Sequence, residues 1–273
     1  MLATRLAVLL CLAAFPAFAQ LSVHGQLVYD NAVQPGGRYA GSFLVRNDSD
    51  TPRDVLVQQH DFKLESDTVA LVTPPATHRR SNAGWVVVTP SRFTVAPGET
   101  QRVDYEIAVP RDIKGAPPEG SYRSLIAVSE LPAETSHRRM YSLIADAGVP
   151  VSDRDVRQSV QIATHIAGTG VTDLTFLGVD VRDENGMHVM TADVENTGDV
   201  VIEPSIWVEL YSASGDLVER RQAEPTRLYP GDSLRHRLPL DTLGAGIYEA
   251  LIVVDAGGDN IFGAQYTLDL NTW

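Results

Sequence analysis

The stretch Trp85–Pro132, WVVVTPSRFTVAPGETQRVDYEIAVPRDIKGAPPEGSYRSLIAVSELP, sets out strand, turn, strand, long connection and strand in a legible order. Val103, Tyr105, Ile107 and Val109 alternate with Arg102, Asp104, Glu106 and Ala108, the period of two that gives a strand one buried and one wet face. That alternation excludes an amphipathic helix. Ala96-Pro97-Gly98-Glu99 fits a tight turn, since proline presets φ and glycine accepts positive φ. The turn separates two expected strands, Trp85–Val95 and Thr100–Val109. Beyond the polar run Arg111–Glu119, Tyr122–Val128 is apolar on both faces apart from Arg123 and Ser124, as in a strand that lies centrally.

Upstream, the pattern predicts strands at Leu27–Tyr29 and Tyr39–Arg46 around the turn Gln34–Gly37, then at Val55–Gln59 and Leu64–Val72, with His78–Asn82 as a polar loop. Downstream, Leu143, Ala145, Ala147, Val149 and Val151 share one face of Met140–Val151, which reads as the last strand of a first domain. The polar, weakly periodic run after it, ending in Gly168-Thr169-Gly170, places a first domain at 21–157, a linker at 158–169 and a second domain at 170–273. In the second domain short strands recur at roughly ten-residue spacing: Leu174–Val181, Met190–Val194, Ile206–Leu210, Leu234–Leu240, Gly246–Val254 and Tyr266–Leu270, with turns such as Asp183–Gly186 and Ala213–Asp216. The expected fold class is all-β, two immunoglobulin-like antiparallel sandwiches.

The central stretch resembles the first immunoglobulin-like domain of periplasmic chaperones that serve fimbrial and pilus subunits. The matching pieces are Pro90, Phe93 and the PGE-x-Q run Pro97–Gln101, then the EG-x-YRS element Glu119–Ser124 with Leu131-Pro132 closing its strand. Val149-Pro150-Val151 followed by Arg154 is similar to the end of the corresponding family strand. Asn196–Asp199, Ser205–Val208 and Gly231-Asp232 resemble the family's second domain.

The first residues, MLATRLAVLLCLAAFPAFAQ, combine Arg5, an apolar core Leu6–Phe15 and Ala17-Phe18-Ala19 before Gln20. They read as a secretory signal, residues 1–19, with a core too short to span a bilayer. Cys11, the only cysteine, lies inside it, so the mature chain is expected to hold no disulfide, thiolate metal site or cysteine nucleophile. No later stretch approaches the roughly 18 apolar residues of a spanning helix, so no membrane insertion is expected. Charge is uneven: net −2 over residues 20–160 and −12 over 161–273. So acidic a second half argues against nucleic acid or an anionic membrane as partner and suits a solvated surface.

Catalytic and metal constellations do not appear in the sequence. The seven histidines (24, 60, 78, 137, 165, 188 and 236) are scattered without metal-ligand spacing, and there is no G-x-S-x-G, S-x-x-K or H-E-x-x-H. Asp180, Asp183 and Glu184 lack calcium-loop spacing and read as hairpin-turn residues. No enzyme activity, cofactor or metal is expected.

The resemblance implies instead a periplasmic, non-catalytic function. A chaperone of this kind lends an edge strand to a pilus or fimbrial subunit that lacks its last strand, then delivers it to an outer-membrane usher. The lending residues would be Leu143, Ala145, Ala147 and Val149; the other reading packs that face into the chain's own sandwich. In the family, basic residues between the domains hold the subunit's terminal carboxylate, one of them on the first strand. Here no Arg or Lys lies between Gln20 and Gly37. The candidate carboxylate anchors are Arg123, with an internal salt bridge as its other reading, and Arg154, with solvent exposure as its other reading. Self-capping of the edge as a homodimer is open. The alternative function is a structural or binding protein of the envelope built from the same modules.

Overall fold

A computed structural model describes residues 21–66, 68–131, 159–184, 187–240 and 243–270. The signal segment, Leu143, Ala145, Ala147, Val149 and Arg154 lie outside the described residues.

The chain enters as β1 (Leu21–His24), which pairs with β3 (Arg38–Asn47), and crosses at Gly25 to β2 (Val28–Val33) in the opposite sheet. Next come β4 (Arg53–Glu65) and β5 (Thr68–Thr73), then β6 (Val86–Thr89), β7 (Arg92–Val95), β8 (Thr100–Ala108), β9 (Gly120–Glu130) and β10 (Ser159–Ile166). One sheet runs β1-β3-β8-β6; the other runs β2-β10-β9-β4-β5, with β7 also on β4. Between them lie Phe43, Val45, Val103, Ile107, Ile126, Val160 and Ile162, all at most 1% exposed. Each such side chain taken from water stabilises the fold by about 1.5–3 kcal/mol. The second sandwich is built from β11 (Thr175–Glu184), β12 (Met187–Glu195), β13 (Ser205–Tyr211), β14 (Leu217–Gln222), β15 (Ser233–Pro239), β16 (Ile247–Asp255) and β17 (Ile261–Asp269). Its sheets are β11-β12-β15 and β14-β13-β16-β17, around Met190, Ile206, Leu210, Leu238, Leu240 and Ile252.

The alternation in Thr100–Val109 appears as a strict sequence of exposed and inward residues along β8, and the doubly apolar Tyr122–Val128 lies inside the central β9, between β10 and β4. Four expectations need correction. The strand expected at Trp85–Val95 is two strands on different sheets: β6 pairs with β8 and β7 with β4, and the break falls at Pro90, which has no N–H for a ladder. The strand expected at Leu64–Val72 is divided between β4 and β5 of a hairpin. The sequence pattern predicts no strand where β14 lies, because Leu217–Gln222 is a charged edge with little apolar alternation.

The fourth concerns the domain boundary. Residues 159–166, placed in a linker, form β10, which pairs with β9 along its whole length and with β2 in parallel. The run looked polar because its polar groups are buried with partners. Thr164 is fully buried and bonds Tyr39 Oη (2.6 Å) and Asn82 Nδ2 (2.8 Å). The first sandwich therefore extends through Ile166, and the chain passes into the second near Ala167–Asp173.

His236, on β15 opposite Ala192 of β12, is 6% exposed, and burial holds its pKa below the ordinary 6.5. Below about pH 6.5 the unfolded chain binds a proton at this position that the folded chain resists, so stability falls as pH falls, by up to about 1.4 kcal/mol per pH unit. Thermal melts across pH 5–7 are expected to show this slope and to lose much of it in His236→Gln; an unchanged slope would locate the pH dependence elsewhere.

Candidate functional site

The two sandwiches meet at a cleft of about 480 Å³ walled by β4, the loop around residues 78–80, the start of β9 and the turns at 196–198 and 229–232. Arg123, the fourth residue of the apolar strand β9, whose start lies at this junction, is 7% exposed along its side chain. Its guanidinium lies 4.8 Å from the Phe62 ring centre and 4.5 Å from that of Tyr229, and Nη2 donates to Asp232 Oδ1 of the second domain. Asp232 also accepts the N–H groups of Leu64 (3.0 Å) and Tyr229 (3.3 Å). Burial pushes the Asp232 carboxyl above its ordinary value, against the pull of Arg123 and those N–H groups. Burial likewise draws Arg123 down, opposed chiefly by Asp232. Each ion is the other's counter-charge.

Arg123 is also one of the candidate carboxylate anchors. Its charge is met by Asp232 and its faces by two rings, the internal salt bridge of the other reading. Arg80, in the polar loop, is likewise occupied: it donates to the Asp199 carboxylate and to the Glu119 carbonyl, and lies 5.2 Å from the Tyr122 ring centre. Arg79, on the same wall, is open to water, 81% exposed and 3.6 Å from Asp199.

Further bonds tie the domains. Ser121 N donates to the Asp199 carbonyl (2.7 Å), Ser121 Oγ accepts Val201 N–H (2.9 Å), and Ser66 N donates to Ser233 Oγ (3.0 Å). Asp30 of β2 bonds Tyr229 Oη (3.3 Å) and His165 Nε2 (3.2 Å) and pairs with Arg227 of the second domain. His165 Nδ1 lies 2.9 Å from Ser121 Oγ. Ser121, His165 and Asp30 thus stand in the order of a hydrolytic triad, but Ser121 is 2% exposed and its oxygen already accepts Val201 N–H. The row therefore serves as a latch between domains.

Sequence reasoning missed Asp232, Tyr229, Asp199 and Asp30 as partners in this junction. Their signal was faint: Asp232 and Asp199 end Pro-Gly-Asp and Thr-Gly-Asp runs, where turn chemistry accounts for an aspartate by itself.

The expected lending residues are bracketed by described elements. β9 starts at the junction, where Gly120 pairs with Ile166, and runs away from it to Glu130; β10 returns antiparallel from Ser159. The connection 132–158, which holds Leu143, Ala145, Ala147, Val149 and Arg154, therefore attaches at the end of the first sandwich remote from the cleft. β2 joins β10 only from Gln161 onward; upstream of it β10 has β9 on one side and, among the described residues, no strand on the other.

No protein-family model matches the chain, and no curated protein does. Solved structures do. The class 5 fimbriae chaperone CfaA is 13% identical, covering 90% of this chain and 98% of its own, with a TM-score of 0.42. The E. coli chaperone DraB is 17% identical over 92% of this chain and 96% of its own, with a TM-score of 0.36. A complex of CsuC and CsuE, a chaperone–tip adhesion subunit pre-assembly complex from archaic chaperone-usher pili of Acinetobacter baumannii, matches at 13% identity, 90% and 98% coverage and a TM-score of 0.39. The chain is similar to these along most of its length; the two-sandwich fold is read from its own sheet order.

Proposed function

We propose that the chain is an exported, non-enzymatic chaperone of the periplasm that lends a strand to pilus or fimbrial subunits and hands them to an outer-membrane usher. The observation that carries this reading is the connection between β9 and β10. Neighbouring antiparallel strands are commonly joined by two to five residues; here 28 residues intervene between Glu130 and Ser159, and they contain the alternating face Leu143, Ala145, Ala147 and Val149. They leave and re-enter the sheet where, among the described residues, no strand pairs with the other side of β10 upstream of Gln161. A strand projected from there meets a subunit's groove without breaking the chaperone's own ladder.

The energetics favour backbone pairing over side-chain anchoring. Leu143 and Val149 would each contribute about 1.5–3 kcal/mol on full burial, the alanines less. Net hydrogen bonds add about 1 kcal/mol each, against an association cost of about 4–15 kcal/mol. A complex of useful lifetime therefore needs a run of main-chain bonds and keeps Leu143 and Val149 indispensable. Arg154, five residues beyond Val149, is the candidate guanidinium for a subunit carboxylate, since Arg123 is committed to Asp232.

Capture from the native envelope fraction by the tagged mature chain tests this. A stoichiometric small β-rich subunit is expected with the wild type and is expected to be lost with Leu143→Asp and Val149→Asp together, the circular dichroism unchanged. Capture by the double variant, or no subunit with the wild type, overturns strand lending by this segment.

A further inference from the structure

β17 ends the four-stranded sheet of the second domain, and among the described residues nothing pairs with its outer edge. An open row of N–H and C=O groups is a template for another chain, so edges are commonly kept short, bulged or studded with charge or proline. Other edges here carry such guards: β14 holds Glu219, Arg220 and Arg221, β11 has a register shift between Phe176 and Gly178, and β6 stops after four residues just before Pro90. β17 has none. Its nine residues, IFGAQYTLD, contain no proline, lysine or arginine and stay in unbroken register with β16 from Asp269 opposite Ile247 to Ile261 opposite Asp255. Ile261 is 63% exposed.

Beside this edge the two sheets leave a hollow of about 260 Å³ lined by Val179 and Val181 of β11 and by Tyr266 and Leu268 of β17. An added strand would turn alternate side chains into that apolar seam. Charge selects the other set. From Leu238 to Trp273 the sequence has five carboxylates, Asp241, Glu249, Asp255, Asp259 and Asp269, and no lysine or arginine. Each of the second domain's six arginines is ion-paired with a carboxylate outside β16 and β17.

We propose that β17 is a docking edge for an extended basic segment of a partner protein. The partner's main chain extends the ladder, its apolar residues fill the seam, and lysine or arginine at intervening positions faces the side bearing Glu249 and Asp255. A second copy of this chain lacks the cations this face calls for, because its own β17 holds no lysine or arginine. The site is distinct from the lending segment and does not depend on it.

The probe is a heptapeptide of alternating valine and lysine, N-methylated along one edge so that it cannot stack on itself, titrated into the isotope-labelled mature chain. β17 amides are expected to shift and gain about tenfold protection from hydrogen exchange, while the peptide with glutamate for lysine has no effect. Ile261→Lys with Gln265→Lys, its thermal melt unchanged, is expected to bind the peptide about tenfold more weakly. Protection confined to other strands, equal binding of the glutamate peptide, equal binding of a fully N-methylated lysine peptide, or dimerisation through β17 in sedimentation would each overturn the proposal.

Discussion

Arg123→Ala is expected to destabilise the protein by about 3–5 kcal/mol, because it leaves Asp232 ionised, 1% exposed along its side chain and without a counter-charge. Two ring contacts, with Phe62 and Tyr229, go with it. Denaturant titration followed by tryptophan fluorescence measures the loss. The pH dependence identifies its origin. Burial already raises the Asp232 carboxyl, and removal of Arg123 deletes the first-ranked force opposing that rise. A group whose folded pKa is raised is most stabilising when protonated, so the variant's deficit is expected to narrow as pH falls toward about 4. Arg123→Met with Asp232→Leu, which removes both charges, is expected to recover most of the stability. A deficit that stays constant with pH, or a double variant as weak as the single one, would show that the pair is not what Arg123 contributes.

Gly120→Ala is the second large effect expected. Gly120 opens β9 at the junction with φ of +70°, and a Cβ there would lie 2.1 Å from the Asp199 carbonyl oxygen. The neighbouring Ser121 N–H donates to that same oxygen. Left-handed strain and the clash together cost about 2–4 kcal/mol unless the domains part. Parting is the cheaper response, since each core belongs to one domain. Small-angle scattering is expected to show a larger radius of gyration in Gly120→Ala, with the far-ultraviolet circular dichroism unchanged. An unaltered radius together with unaltered stability would mean that the junction yields locally.

Local regularity made much of the fold legible. β8 and β9 were readable from alternation and from a doubly apolar run, because a strand's burial pattern repeats every two residues and needs no knowledge of its partner. The inward residues Met190, Ala192 and Val194 of β12 and Ile206, Val208 and Leu210 of β13 followed in the same way. β10 was not legible. Thr164 and His165 are tolerable beside its apolar residues only because Asn82, Tyr39, Ser121 and Asp30 meet their polar groups from distant strands. In sequence such a strand looks like a linker. The candidate site divides similarly: Arg123 stood out as a charge inside an apolar strand, but its two readings could not be separated without Asp232, 109 residues away.

Alternation, turn chemistry and charge thus determined by themselves that the chain is all-β, that it folds as two sandwiches and that its second half is acidic. These properties are written in neighbours a few residues apart. Tertiary structure alone decided which sheet each strand joins, where the first sandwich ends, that Arg123 pairs with Asp232 across the domains, and that β17 stands at the end of its sheet among the described residues. Those outcomes depend on which distant strands come to lie side by side and on whether a buried charge finds its counter-ion, and neither leaves a periodic trace in the local sequence.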